Sequence, residues 1–414
     1  MRSCRRSVQI IFCLFCLLCI VPASSVCGST ASADGPSSGP GGAGPSGPPD
    51  GLSPEELREL ERITTLGYVA GGDSAPEDGG VTVREDGAYE GYTMIVSGDY
   101  PGAFLIGMDG EVLHSWHEDG PDYWVRAYAY PDGGVLAISA YPWRLVKLGA
   151  DSELEWTYGE EFFRAHHDFQ VRRDGRIYVL MRRPNNPRWL GVGGISEDMV
   201  CIIEPGAAAV REIGCVSLAE AFRDSDFAYL LSAFEVGADD PFHANSVEVL
   251  DGSVPHPAFS AGNILVSIRN MDCLAVLDPR ARSVVWTSCG RWQRQHEARV
   301  TPEGRIMLFD NRKFDGQSRV VEFDVVGGQM TWSYTHEDFY SQGAGAQQLL
   351  PNGNVLVTES QKGRVFEITR DGRLVWEYLN PRRVDDGATI ARIPRSYRAA
   401  PNFFEPSFLQ RLGQ

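Results

Sequence analysis

From about Tyr92 to Pro381, apolar and polar residues alternate in short runs that are separated by Asp-Gly, Asn-Gly and similar turns. Alternation with a period of two indicates strands with one buried face, and these turns favour hairpins. The unit recurs about every 40 to 50 residues, with a turn glycine, an alternating run and a second hairpin. Six copies are found, so the chain is predicted to be all-β, with a six-bladed β-propeller over residues 90–381.

Two features of the repeat refine this prediction. The second hairpin ends in a Val/Leu-x-Trp strand in four copies, which predicts that Trp156, Trp286, Trp332 and Trp376 pack between neighbouring blades. Residues 217–240 interrupt the repeat between the third and fourth units and have helical character. We expect this helical insertion to lie over one face of the propeller, where such loops often wall a pocket.

The segments that flank the repeat have different compositions. Basic residues, an apolar run and small residues make residues 1–27 an export signal, and the run is shorter than the roughly 20 residues of a membrane span. Cleavage is therefore expected, with a retained anchor or lipidation of Cys27 as alternatives. Residues 28–52 are predicted to be a disordered tether rich in Gly, Pro and Ser, residues 53–89 a short helix with an acidic linker, and residues 382–414 a C-terminal extension.

Charge and cysteine placement narrow the function and the compartment. The formal net charge of -17 argues against nucleic-acid binding, so an anionic ligand would need a local cluster of cations. Cys201 with Cys215, and Cys273 with Cys289, lie symmetrically about the turns of two hairpins. They are predicted to form two disulfides in an oxidising, extracytoplasmic compartment, with free buried thiols as the alternative.

The repeat also places the histidines. His167, His243 and His296 each open the first strand of successive units, whereas Gly345 stands at that position in the last unit. Because the first strand of a blade is innermost, we expect the three imidazoles to converge at one end of the central channel. Arg269 and Arg182 occupy a matching position at the end of the second strand.

Three interpretations of this cluster are open. A zinc site is disfavoured because no Asp or Glu occupies an equivalent inward position and because a nearby arginine would repel a cation. The histidines could instead serve only as hydrogen-bonding groups within the channel. A cationic pocket for a compact anion, with one imidazole as nucleophile and the others as proton donors, accounts for both residue types.

Five motifs, spread over most of the predicted propeller, resemble the bacterial arylsulfate sulfotransferase family. They are HHDF (166–169), FHANS (242–246), SIRN (267–270), RQHEARVTPEGRIMLFDN (294–311) and GAQQLLPNGNVLVTES (345–360). The resemblance implies a periplasmic or envelope enzyme that moves a sulfuryl group from an aryl sulfate to a phenol, through a sulfated histidine and without cofactor or metal. It leaves the oligomeric state open, because the N-terminal sandwich domain associated with the family is missing.

The resemblance also implies roles for individual residues. His296 matches the nucleophile, His243 and Arg269 match the pair that holds the sulfuryl oxygens, and His167 matches the remaining channel histidine. Asn245, Arg182 and His166 are expected binding residues, and His166 is an alternative to His167 as the residue that faces the channel. A non-catalytic propeller that binds a ligand or a partner protein is the main rival, and a quinone- or metal-dependent propeller enzyme is a third hypothesis.

Overall fold

The computed structural model describes residues 79–191, 194–206, 209–234 and 239–413. The predicted export signal, the tether and the helix of residues 53–66 lie outside these residues. Within the described part of the chain, the strands are β1 (Gly80–Arg84), β2 (Tyr92–Val96), β3 (Gly102–Ile106), β4 (Val112–His117), β5 (Tyr123–Ala129), β6 (Val135–Ala140), β7 (Arg144–Leu148), β8 (Leu154–Tyr158), β9 (Arg164–Val171), β10 (Ile177–Asn185), β11 (Ile195–Pro205), β12 (Val210–Ser217), β13 (Ala244–Val249), β14 (Ile264–Ile268), β15 (Cys273–Asp278), β16 (Ser283–Cys289), β17 (His296–Val300), β18 (Ile306–Asp310), β19 (Arg319–Asp324), β20 (Gln329–Tyr334), β21 (Ala346–Leu349), β22 (Val355–Glu359), β23 (Arg364–Ile368), β24 (Leu374–Leu379), β25 (Arg383–Val384), β26 (Thr389–Ile390) and β27 (Arg395–Ala399).

Six antiparallel sheets form the blades of a propeller in the described residues, as the repeat predicts. Blade 1 has the strand order β27-β2-β3-β4, and blades 2 to 5 are β5–β8, β9–β12, β13–β16 and β17–β20. Blade 6 is β21–β24 with β1 added at its outer edge. Each innermost strand contacts the innermost strand of the next blade, in the cyclic order β27, β5, β9, β13, β17 and β21. The ring is therefore closed.

Both ends of the described chain take part in closing this ring, which differs from the predicted boundaries. β27 lies in the segment expected to be a C-terminal extension, yet it supplies the innermost strand of blade 1 by pairing with β2. β1 lies in the predicted acidic linker and pairs with β24 of blade 6. The first repeat unit begins with its second strand, so the missing innermost strand has to come from the other end of the chain.

Short helical elements connect some of the strands. Within the described ranges, the α-helices are α1 (Leu218–Arg223), between blades 3 and 4, and α2 (Pro406–Arg411). The 3-10 helices are Arg188–Leu190, Ala228–Ala233, Pro257–Phe259, Arg269–Met271, Ser360–Lys362 and Asp385–Gly387. The Ser217 hydroxyl caps α1 by accepting from the Glu220 backbone amide, and Leu218 and Phe222 of the helix are buried. None of the described helices has the length and apolar character required to cross a membrane.

Two kinds of contact join neighbouring strands and blades. The indole of Trp376 donates to the Met108 carbonyl of blade 1, and the indole of Trp332 donates to the Arg370 carbonyl of blade 6. The predicted disulfides are confirmed: they are Cys201–Cys215 and Cys273–Cys289, each between the two outer strands of one blade, with Cα atoms 4.0 and 4.1 Å apart. Such bridges are typical of proteins exported to an oxidising compartment.

The innermost strands all run in the same direction along the channel. We call the end at which they begin the histidine mouth, since His296 is the first residue of β17, His243 directly precedes β13, and His166 and His167 lie near the start of β9. We call the other end, at which these strands finish, the far end. Loops that enter an innermost strand, or that follow the second strand of a blade, therefore lie at the histidine mouth.

Candidate active site at the histidine mouth

A β-bulge lies near the start of the innermost strand in four successive blades. The register with the second strand shifts between Trp124 and Arg126 in blade 2, opposite residues 179–181 in blade 3, between Ala244 and Ser246 in blade 4, and after His296 in blade 5. Bulges re-aim side chains and are frequent beside active sites. His167 and His243 also have positive φ angles of 54° and 51°, which are uncommon for residues other than glycine and cluster at functional sites.

The bulged strands bring the predicted histidines together. The ring centroids of His167 and His243 are 4.7 Å apart, and those of His166 and His167 are 5.1 Å apart. His296 is near enough to both His167 and His243 for their charges to interact. His167 therefore belongs to one cluster with the other two predicted channel histidines, whereas His166 also approaches the blade, with its Nε2 atom 3.4 Å from Asp198 Oδ1.

The ring of His296 is held in one tautomer. Asn311, which follows β18, donates through Nδ2 to the backbone carbonyls of Ser341 and Ala344, at 2.7 and 2.8 Å. These bonds fix the orientation of the amide, so Oδ1 is the atom that lies 2.7 Å from His296 Nδ1. An amide oxygen only accepts, so Nδ1 carries the proton and Nε2 keeps its lone pair.

Arg269 is near the imidazole of His296. Its backbone N–H donates to the His243 carbonyl at 3.1 Å, which fixes the arginine at the histidine mouth of blade 4. Its side chain is buried, and Nη1 donates to Asn270 Oδ1 at 2.8 Å. Burial, followed by the positive charge of Arg269, lowers the pKa of His296 to about 3. His296 is therefore a neutral imidazole beside a guanidinium.

His167 and His166 are uncharged for similar reasons. Burial, followed by the nearby charge of His243, lowers the pKa of His167 well below its ordinary value. Burial and then Arg182 do the same for the pKa of His166. At neutral pH, His166, His167 and His296 therefore act as neutral hydrogen-bonding or nucleophilic groups.

Two carboxylates reach the cluster, although neither occupies one of the inward positions that the repeat defines. Asp240 Oδ2 lies 2.5 Å from His243 Nδ1, and Asp240 Oδ1 accepts from the His243 backbone N–H at 3.1 Å. Asp198 accepts from the Ala244 backbone N–H at 2.6 Å. Neither residue belongs to an innermost strand, because Asp240 lies in the connection before β13 and Asp198 lies on β11. The absence of carboxylates is therefore not a valid argument against a metal.

Arg182 is ion-paired on both sides. Its Nε donates to Asp198 Oδ1 at 2.7 Å and its Nη2 donates to Asp240 Oδ1 at 3.0 Å. Burial opposes its charge, but the two carboxylates outweigh burial and raise its pKa. Burial would raise the pKa of Asp240, but the positive charges of Arg182 and His243 outweigh burial, so the net shift of the Asp240 pKa is downward. Arg182 thus contacts the histidines through Asp240.

Asn245 has a similar supporting position. Its Nδ2 donates to the Gln295 carbonyl at 2.8 Å, which ties blade 4 to the residue before His296. Its Oδ1 is buried and has no hydrogen-bond partner among the described residues.

In the sixth blade, a Cβ at Gly345 would lie 2.6 Å from the ring of Phe309, and Gly345 has a φ of 144°. The position that carries histidine in three units therefore has no room for a side chain in the sixth.

Aromatic side chains surround the mouth at a distance from the histidines. Tyr123, Trp124 and Phe339 are buried in the fold. The four most exposed aromatic side chains of the described residues instead lie in loops on the same face as the histidine mouth. They are Phe162, Trp189, Tyr229 and Phe314, with 63%, 44%, 66% and 70% of their surface exposed.

A metal centre is not indicated by the grouping of ligand atoms. Among the described residues, the cluster with metal-ligand spacing is Cys201, Glu212 and Cys215. Its two sulfurs are joined as a disulfide, and thiolates are the form in which cysteine binds metals.

The fold and this site define a six-bladed propeller with a cluster of histidines, three of them neutral, and a buried arginine at one channel mouth. The model of the arylsulfotransferase (ASST) family matches residues 157–381, which is more than half of the chain. The chain belongs to the arylsulfotransferase family. Membership supports a sulfotransferase-like enzyme and implies small-molecule aryl sulfates and phenols as substrates.

Other known proteins are only distantly similar. No curated protein matches this chain. A protein of unknown function from Bacteroides caccae is 12% identical, with 70% of this chain and 93% of that chain covered and a TM-score of 0.49. A functionally unknown protein from Desulfotomaculum acetoxidans is 12% identical, with 75% and 100% covered and a TM-score of 0.44. Apo AztD from Citrobacter koseri is 12% identical, with 76% and 99% covered and a TM-score of 0.41. These similarities carry no argument about activity.

Proposed function

We propose that this protein transfers a sulfuryl group from an aryl sulfate to a phenolic acceptor in two displacements, with His296 as the covalent carrier and without a nucleotide sulfate donor. The observation that carries the proposal is the fixed tautomer of His296. Asn311 accepts from Nδ1 at 2.7 Å, and a pKa of about 3 keeps Nε2 unprotonated at neutral pH. An uncharged imidazole with an available lone pair is a suitable nucleophile.

In the first displacement, Nε2 of His296 attacks the sulfur of the donor. The N–S bond forms as the bond between sulfur and the phenolic oxygen breaks, and the phenolate leaves with the electron pair. Negative charge on the sulfuryl oxygens is stabilised by the guanidinium of Arg269 and by N–H donors of the cluster. No metal or organic cofactor is needed for these steps.

Proton transfer is assigned to His243. The departing phenolate takes a proton from the His243 imidazolium, whose positive charge Asp240 can balance at 2.5 Å. In the second displacement, the hydroxyl oxygen of the acceptor attacks the sulfur as its proton passes to His243. The S–O bond forms, the N–S bond breaks and His296 is regenerated, which gives ping-pong kinetics.

The remaining predicted residues support this constellation. His167 lies against His243, and we expect it to donate a hydrogen bond to a sulfuryl oxygen. Arg182 and His166 act through Asp240 and Asp198, and Asn245 holds the segment before His296. The exposed rings around the mouth, together with the insertion that carries Tyr229, are the surface on which we expect an aromatic acceptor to dock.

The protein would act outside the cytoplasm. We propose that residues 1–27 direct export to the periplasm or cell envelope, with Cys27 as the candidate lipid anchor, and that residues 28–52 tether the propeller domain. Two disulfides support this location, because they persist in oxidising compartments.

The activity is tested by incubating the purified protein with 4-nitrophenyl sulfate and phenol, with and without a chelator. We expect release of nitrophenol together with formation of phenyl sulfate, and loss of both in His296→Ala and His296→Asn. If neither product forms, or if the two variants match the parent, the proposal is wrong. Loss of activity with chelator alone would indicate a metal-dependent reaction instead.

A further inference from the structure

A second cavity, of about 370 Å³, occupies the central channel towards its far end. Innermost strands of five blades line it, through Arg126 of β5, Glu248 of β13, Arg299 of β17, Gln347 of β21 and Arg395 of β27. The lining also includes Thr301 and Pro302, which follow the end of β17. Glu297, which directly follows His296, also lines it, but none of the clustered histidines does, nor does Arg269. The proposed reaction gives this cavity no role.

Positive groups dominate its charged lining. Asp168 of β9 is completely buried and pairs with Arg126, Arg299 and Arg395, at 2.7, 2.7 and 3.2 Å. Glu297 forms ion pairs with Arg299 and Arg395. Two ion-paired carboxylates thus face three guanidiniums.

A third acidic residue, Glu248, determines the net charge of the groups around the cavity. Glu248 is partly buried near Arg299, and its carboxylate accepts from the Val300 backbone N–H at 2.7 Å. Burial raises the pKa of Glu248 to about 7, and the charges of Asp251 and Asp168 add to the effect, whereas Arg299 opposes it. Below that pH Glu248 is uncharged, and the three guanidiniums exceed the charged carboxylates around them.

A donor for an anion is also present. Arg126 is largely buried, and its Nε has no hydrogen-bond partner among the described residues. A buried unsatisfied N–H is costly unless a ligand or water accepts from it. Apolar and aromatic side chains complete the walls, among them Tyr128, Val300, Met307 and Tyr397.

We infer that this cavity binds a small organic monoanion, with its carboxylate or sulfate group against Arg126 and its apolar part against Tyr128 and Tyr397. The inference is independent of the proposed sulfuryl transfer. Guanidinium groups recognise both carboxylate and sulfate, and the volume accommodates a single aromatic ring.

The probe is benzoate, titrated calorimetrically into the Arg269→Gln protein so that the guanidinium of the histidine mouth makes no contribution. We expect one saturable site at pH 6.5, with binding at least about tenfold weaker after the further substitution Arg126→Gln. Benzamide, the neutral analogue, should also bind at least about tenfold more weakly. Near-ultraviolet circular dichroism checks that each variant keeps the native fold.

A second variant tests the cavity without removing an arginine. Binding of benzoate should weaken as the pH rises through 7 and Glu248 becomes charged, whereas Glu248→Gln should abolish this dependence and bind more tightly than the parent at pH 8. The inference is overturned if benzoate does not saturate a site, if benzamide binds equally well, or if both Arg126→Gln and Glu248→Gln leave its affinity and pH dependence unchanged.

Discussion

Replacing Asn311 by leucine tests how the protein prepares its candidate nucleophile. Leucine has a similar size but cannot accept the hydrogen bond that Asn311 Oδ1 receives from His296 Nδ1 at 2.7 Å. The Nδ1–H would then be buried without a partner, at a cost of about 1–3 kcal/mol, and the tautomer with the proton on Nε2 would become competitive. That tautomer has no lone pair directed at the sulfur.

The same free energy gives the expected kinetic effect. A penalty of about 1.4–2.7 kcal/mol lowers kcat/KM by about 10- to 100-fold, because each 1.36 kcal/mol corresponds to a factor of ten. The assay is the initial rate of nitrophenol release from 4-nitrophenyl sulfate at low donor concentration, with phenol as acceptor. Asn352→Leu is the matched control, since Asn352 is an exposed residue of a blade 6 turn at the far end, and it should behave as the parent.

A lower rate of Asn311→Leu could come from loss of the native fold or from loss of the hydrogen bond to His296, and the two causes must be distinguished. Asn311 also donates to the Ser341 and Ala344 carbonyls, so circular dichroism and the urea midpoint of Asn311→Leu need to be measured beside its rate. A natively folded Asn311→Leu protein with a kcat/KM within about threefold of the parent would refute the role assigned to the fixed tautomer.

Three further predictions follow from the same contacts. The pKa of His296 is lowered to about 3, so the neutral nucleophile persists as the pH falls, and the acid limb of kcat/KM should lie below pH 5; a limb centred at the ordinary histidine value of about 6.5 would contradict this. Asp240→Asn removes the charge beside His243 Nδ1 and should lower kcat about tenfold or more with a smaller change in KM, measured from full saturation curves; an unchanged kcat would show that the aspartate has no part in proton transfer. Asp168→Asn leaves three channel arginines without their shared anion and should reduce the free energy of unfolding, measured in urea, by about 3–5 kcal/mol. The control Asp109→Asn, at an exposed ion pair, should change this free energy by less than about 1 kcal/mol. Equal effects of the two substitutions would mean that the buried ion-pair cluster does not stabilise the propeller.

The sequence repeat accounts for much of the fold and of the candidate site. Side chains in a repeated unit recur at equivalent places, so counting from the turn glycines assigned His167 and His296 to one end of the channel, and the start of the next unit's first strand assigned His243 there. The structure has the three rings in one cluster. The two disulfides followed from symmetry about hairpin turns for the same reason.

Features outside the repeat were not predictable in this way. Asp240 lies in the connection before β13, and its contact with His243 depends on the local path of the backbone there. Asp198 lies on β11, the third strand of its blade, and the repeat does not predict that a residue of this strand reaches the histidine cluster. β27 carries no motif of the repeat, so its place in blade 1 depends on closure of the ring, a long-range constraint. Asn311 lies just after β18, and its bond to His296 depends on the orientation of a side-chain amide, which the repeat does not determine.

The central claim is that His296 carries the sulfuryl group, and the most direct measurement is mass spectrometry of the protein after a brief reaction with 4-nitrophenyl sulfate in the absence of acceptor. The account predicts a mass increase of one sulfuryl group on the peptide that contains His296, which disappears when phenol is added and does not form in His296→Asn. A protein that turns over the donor with no such adduct, or with the adduct on another residue, would contradict it.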